Sequence, residues 1–151
     1  MRFSPLVWAL PLPLLLVSCS AKDAVSLSIQ ISTATVTVKN DAFGGSASGT
    51  FQLTLALGSE ASGPTRVTLE NFQLETLKRD PLVPVLALDQ ATTPLVINKG
   101  ESKTLTLTFT EQQLDHDAAC AGSVDIRGSV SDTLKGGTDP VASSPITPDC
   151  G

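Results

Sequence analysis

From residue 25 to residue 146 apolar and polar side chains alternate with a period of two, and no helical apolar period persists beyond two turns. A chain patterned this way buries one face of each strand and leaves the other in water. Val25, Leu27, Ile29 and Ile31 share one face, whereas Ala34, Val36 and Val38 continue on the opposite parity. Because side chains alternate strictly, the switch at Ser32-Thr33 demands a bulge or a strand that passes from one sheet to another. Phe51, Leu53, Leu55 and Leu57 give a second strand, and Leu105, Leu107 and Phe109, interleaved with threonines, a later one. Val67 and Leu69 begin a third, with a further parity slip before Phe72 and Leu74. Pro81 and Pro84 confine Leu82–Leu88 to a sheet edge, since proline donates nothing to a ladder. Leu95–Ile97 is short, and Asn98-Lys99-Gly100 turns the chain. Val124, Ile126 and Val130 form the penultimate strand, and Val141–Ile146 the last, weakened by Pro145. Asn40–Gly49, NDAFGGSASG, reads as a flexible glycine-rich loop. Seven or eight short strands without helices predict an all-β fold, a single antiparallel β-sandwich.

The N-terminal segment has a different character. Arg2 precedes an apolar run, Leu6 to Val17, that is twelve residues long, whereas a membrane-spanning helix needs roughly twenty. Pro5, Pro11 and Pro13 also disfavour a stable helix. The run ends in Leu16-Val17-Ser18-Cys19, which resembles the lipobox of secreted bacterial lipoproteins. The resemblance implies a cleaved signal peptide over residues 1–18, diacylglyceryl and N-acyl chains on Cys19, and a partner in the lipid bilayer. Two or more acyl chains give stable anchoring where one is marginal. Ser20 after the lipidated position is similar to signals sorted to the outer membrane of the cell envelope. Residues 19–24 then form a short tether and residues 25–151 the sandwich domain. The five residues Ser20–Ala24 reach about 18 Å at most, so the domain is expected to sit close to the bilayer.

Lipidation of Cys19 would also account for an odd cysteine count. Of three cysteines, Cys120 and Cys150 remain, and an oxidising compartment would pair them. An antiparallel hairpin centred on Lys135 sets Val124 opposite Ile146 and Cys120 opposite Cys150, so one register serves the apolar pair and a bridge within one sheet. The loop SDTLKGGTD has the composition of a turn. The whole chain has a formal charge of −5, and without Arg2 the mature part carries −6. With no basic cluster beyond Lys78-Arg79, phosphate neutralisation is not available to it, which excludes a nucleic-acid binder.

The sandwich resembles the broad immunoglobulin-like or fibronectin type III-like class of bacterial surface modules, notably in the turn-then-strand Val96–Leu107. The cystine-flanked tryptophan of antibody domains is missing: Trp8 leaves with the signal peptide. His116, the single histidine, sits in Asp115-His116-Asp117, which reads as a polar turn before a strand opened by Cys120. One histidine falls short of the three or four ligands of a stable zinc site, and the EF-hand spacing is absent. G-x-S-x-G does not occur, and a mature chain lacking Trp and Tyr has no platform for stacking sugar rings. The expected function is therefore a non-catalytic envelope lipoprotein, with no cofactor or metal, whose sandwich binds an envelope protein or scaffolds an assembly. The alternatives are a calcium- or small-ligand-dependent adhesin and, third, a hydrolase built on His116. The chain is expected to enter at the end carrying Gly58–Pro64 and Ser131–Asp139. At the opposite, outward end Phe43 is the candidate partner contact.

Overall fold

The computed structural model describes residues 26–42, 44–89 and 94–151. Two sheets face each other. One has the order β10 (Asp149–Cys150), β1 (Leu27–Asp41), β2 (Gly44–Leu57), β7 (Ser102–Leu114), β5 (Leu88–Asp89). The other runs β4 (Pro81–Val83), β3 (Thr65–Thr76), β8 (Val124–Asp132), β9 (Thr138–Ala142), with β6 (Leu95–Ile97) beside the first residues of β3. Lettered along the chain, β1, β2, β7 and β5 stand as A, B, E and D, and β3, β8 and β9 as C, F and G. This is the immunoglobulin arrangement, extended by β4 beside C. The proline-bounded stretch supplies two edge strands, β4 in one sheet and β5 in the other, as its sequence requires.

Three places where the strands break register coincide with non-glycine residues of positive φ. Thr33 (φ 50) lies in the shift between Ser32 and Thr35, Asn71 (φ 52) in that between Glu70 and Gln73. These are the two parity switches in the sequence. The third, Gln113 (φ 65), lies where β7 shifts against β2. It lets Leu114 turn inward on the parity opposite to Phe109. Each inserted residue re-aims its strand while the hydrophobic set stays on the core face.

Four expectations need correction. The strands β1, β2, β3 and β7 are long rather than short, at 15, 14, 12 and 13 residues. The segment Asn40–Gly49 is not a loop. Asp41 pairs with Gly44, and the glycine-rich run continues as strand because β1 on one side and β7 on the other take up its backbone groups. Residues 116–120 form a one-turn helix, α1 (His116–Cys120), so Cys120 closes a helix rather than opening a strand. Asp115 caps it, its carboxylate accepting a 3.0 Å hydrogen bond from the Ala118 amide. Finally, Val141–Ile146 is not one strand: β9 ends at Ala142, and Ile146 meets Val124 in an isolated bridge before the chain crosses to β1. β8 and β9 pair one residue out of step with that bridge, Arg127 facing Ala142.

The core sets phenylalanine rings over glycines. Phe72 of β3 stacks on Phe51 of β2 at a centroid distance of 5.7 Å. A β-carbon on Gly128 of β8 would lie 2.6 Å from the Phe72 ring, and one on Gly49 of β2 would lie 2.6 Å from the Phe109 ring. Phe51, Phe72 and Phe109 are all buried. Burying each contributes about 1.5–3 kcal/mol, and the two glycines are what let Phe72 and Phe109 lie so close to the sheets.

Candidate functional site: the bridged end of the sandwich

The sandwich has two unlike ends. At one, the chain enters through Ser26, whose carbonyl accepts from the Gly58 amide, and Ser26 and Leu27 line a recess with Ser62, Asp132, Leu134 and Lys135. The loops Gly58–Pro64 and Ser131–Asp139 therefore sit at the entry end, as expected. Buried Asp132 organises the second loop, its Oδ1 accepting from the amides of Leu134 and Lys135, both at 2.9 Å.

The far end carries nearly all of the unusual chemistry. Cys120 and Cys150 are joined in a disulfide. The pairing matches the expectation but its setting does not. Cys150 lies on β10, which runs parallel to β1 with Val38 opposite Cys150, while Cys120 ends α1 just before β8. The bridge thus ties the edge of one sheet to the element that leads into the other, rather than closing a hairpin within a sheet. The reason is the crossover after Ile146, which carries the C-terminus away from β8. Two backbone hydrogen bonds complete the attachment, from the Gly151 amide to the Val38 carbonyl (3.0 Å) and from the Asn40 amide to the Gly151 carbonyl (3.3 Å).

His116 stands beside the bridge. Its Nε2 is 3.7 Å from Cys120 Sγ and its Nδ1 is 3.2 Å from Asp117 Oδ1. The ring nitrogens thus meet a sulfur and an exposed carboxylate rather than a serine. Among the described residues no group of three or more His, Cys, Asp or Glu could hold a metal ion.

A second cluster, which the sequence reading missed, lies on the outer surface of the other sheet at the same end. Glu75 and Asp125 face each other directly across β3 and β8. Their side chains are only 8% and 5% exposed. Arg127 reaches both, with Nη2 2.8 Å and Nε 2.9 Å from Asp125 Oδ2 and Nε 3.3 Å from Glu75 Oε2. Arg79 approaches Glu75 at 3.9 Å, and Gln73 donates to Glu75 Oε1. Among the described residues neither Asp125 Oδ1 nor Glu75 Oε2 has a hydrogen-bond donor, although Glu75 Oε2 is ion-paired with both arginines. Two carboxylates so placed compete for one close guanidinium, and leaving a buried acceptor without a donor is costly. The available signal was an aspartate and a glutamate inside apolar runs, where strands disfavour them. Their partnership across fifty residues carries no local trace.

Burial, and secondarily the charge of Glu75, push the Asp125 carboxyl above its ordinary range, against the opposing pull of Arg79. An acid whose folded value is raised contributes stability that is present below its unfolded value, near pH 4, and lost as pH rises through the folded one. Asp125→Asn is therefore expected to flatten the profile. Between pH 4 and pH 7 the wild type should lose stability relative to the variant, as read by denaturant midpoints across that range. Parallel profiles would contradict the assignment.

Between this cluster and the helix, Leu77 of the β3–β4 turn is 51% exposed beside a recess that it lines with Thr76, Ala118, Ala121 and Gly122. The turn is held by the Thr76 hydroxyl, which accepts from the Asp80 amide, and by Arg79 at positive φ. Cys19 and Phe43 lie outside the described residues. Ala42 and Gly44, which flank Phe43 in sequence, lie at the turn of the β1–β2 hairpin on this same end. Compared with known proteins, the chain matches no family model and no curated sequence.

Proposed function

We propose that the protein is a lipoprotein of the cell envelope, held on the outer membrane through acylated Cys19, whose sandwich presents its bridged end to a protein partner in an envelope assembly. The observation that carries this reading is the polarity of the domain relative to its lipobox. The chain enters the sandwich at Ser26, seven residues beyond Cys19, and the exposed Leu77, the recess beside α1 and the β1–β2 hairpin tip all lie at the opposite end. A tether of that length holds the entry end near the bilayer, at most about 25 Å from the acylated residue, and leaves the bridged end facing away. The cysteine count supports the same reading. With Cys120 and Cys150 joined, Cys19 is the only remaining thiol in the chain. Phe43 and Leu77 are the proposed partner contacts.

The test is Cys19→Ser in the producing cell. The wild type should fractionate with membranes, and its processed N-terminus should carry the mass of three acyl chains, while the variant keeps its signal peptide or appears unacylated in the soluble envelope fraction. An unacylated wild-type N-terminus elsewhere in the chain would overturn the anchoring. Crosslinking of the acylated wild type in intact envelopes, compared with Leu77→Asp, tests the partner surface. Identical crosslinked products would exclude it.

A further inference from the structure

The bridge at the far end is asymmetric in its surroundings. Cys150 is exposed on the two-residue strand β10, whereas Cys120 is half-buried at the end of α1. Cys120 lies four positions beyond His116, which places both side chains on one side of the helical turn. The seat of that turn is fixed. A β-carbon on Gly45 of β2 would lie 2.8 Å from the Leu114 carbonyl and 3.1 Å from His116, so the absence of a side chain there lets α1 lie directly against the sheet. Nε2 of His116 is in consequence within reach of one sulfur of the bridge, Cys120 Sγ at 3.7 Å.

We propose that Cys120–Cys150 is an exchange-competent bridge that reacts with thiols, and that it latches the C-terminal strand β10 onto β1. A thiolate attacks the sulfur of Cys150, the exposed residue of the pair, and forms a mixed disulfide there, and the Cys120 sulfur departs with the electron pair of the broken S–S bond. Protonated His116 gives that sulfur its proton from Nε2, leaving a Cys120 thiol and a neutral imidazole whose Nδ1 faces Asp117. A second thiol, or the second sulfur of a dithiol, then attacks the mixed disulfide. It releases Cys150 as a thiol and carries the oxidation away as a new disulfide, so two electrons pass from the reductant to the bridge. Once Cys150 is free, β10 keeps only its two-residue ladder with β1 and the hydrogen bonds of Gly151. The proposal does not depend on the lipid anchor.

Of the charged residues on the elements around the histidine, Asp115 and Asp117 lie on its own turn, Lys39 and Asp41 on β1, Asp149 beside the bridge on β10, and Lys78 and Asp80 on the β3–β4 turn that lines a recess with α1, while β2 carries none. Asp117 meets the ring at Nδ1.

The experiment follows reduction of the purified, oxidised protein by glutathione from pH 5.5 to pH 8, with acid quenching, alkylation and peptide mass mapping. Four results are expected. The glutathione adduct appears on Cys150 and the alkyl label on Cys120. The wild-type rate, divided by the glutathione thiolate concentration, falls on the order of tenfold between pH 5.5 and pH 8. His116→Gln abolishes that fall and matches the wild type at pH 8. After reduction the Asn40 amide also exchanges faster with deuterated water. An adduct on Cys120, or a normalised wild-type rate that is flat with pH, overturns the exchange mechanism, and the latter needs no variant to interpret. An Asn40 amide equally protected in both redox forms overturns the latch.

Discussion

Gly49→Ala is expected to lower the stability of the domain by about 3 kcal/mol, the upper end of what one added methyl costs in a filled core. Gly49 sits opposite Phe109 in the β2–β7 ladder, and its new β-carbon would meet the Phe109 ring at 2.6 Å and the Thr35 carbonyl at 2.5 Å. The carbonyl belongs to the residue just past the β1 bulge, so it moves only if the strand moves. Gly128→Ala makes the instructive comparison, because its three nearest contacts are all atoms of the Phe72 ring, at 2.6–2.7 Å. A ring yields more readily than a backbone, and about 2 kcal/mol is expected there. Combining Gly128→Ala with Phe72→Leu should recover about 1 kcal/mol relative to the sum of the single changes, the mark of neighbours that share a space. The same combination at Gly49, with Phe109→Leu, should recover little, since the Thr35 carbonyl remains. Urea denaturation of the wild type and the six variants measures all of these differences. If Gly49→Ala cost less than about 0.5 kcal/mol, the packing of phenylalanine over glycine would have been misread.

Removing the bridge by Cys120→Ser with Cys150→Ser is expected to cost about 3–4 kcal/mol, the loop-closure entropy of a thirty-residue loop released in the unfolded chain. That loop holds all of β8 and β9, so its freedom when unfolded includes the whole C-terminal half of one sheet. The native state should change as well, but only locally. β10 contributes two residues of ladder, too few to hold alone, whereas β8 stays paired with β3 and buried through Val124, Ile126 and Val130. Calorimetry should show a lower melting temperature with the folded far-ultraviolet spectrum retained. Proteolysis of the folded variant should begin beyond Ile146. Loss of the whole β8–β9 sheet region under native conditions would mean that the bridge, and not the core, holds that half together.

How much of this was legible beforehand follows from what is local. Strand positions follow from parity, and so do the bulges at Thr33 and Asn71, because an inserted residue must reverse the face of every side chain after it. The same arithmetic applies at Gln113, where Leu114 breaks step with Phe109. The proline edges and the Cys120–Cys150 pairing were likewise readable, the pairing from counting cysteines rather than from knowing the register. The route of the bridge was not, because the crossover after Ile146 depends on which sheet offers an open edge beside β1. The identity of Asn40–Gly49 was hidden for a related reason. Glycine and serine have little strand preference of their own, and they become strand here because two flanking strands satisfy their backbone.

The sequence alone therefore determined the class of fold and the faces of its strands, since a two-residue period admits a single way of burying apolar side chains. Tertiary structure alone decided which distant groups meet. Glu75 joins Asp125 and Arg127, His116 joins the sulfur of Cys120, and Phe72 rests on Gly128. Each meeting depends on strand order and register across the sandwich, which are set by the packing of both sheets together and leave no periodic mark in the chain.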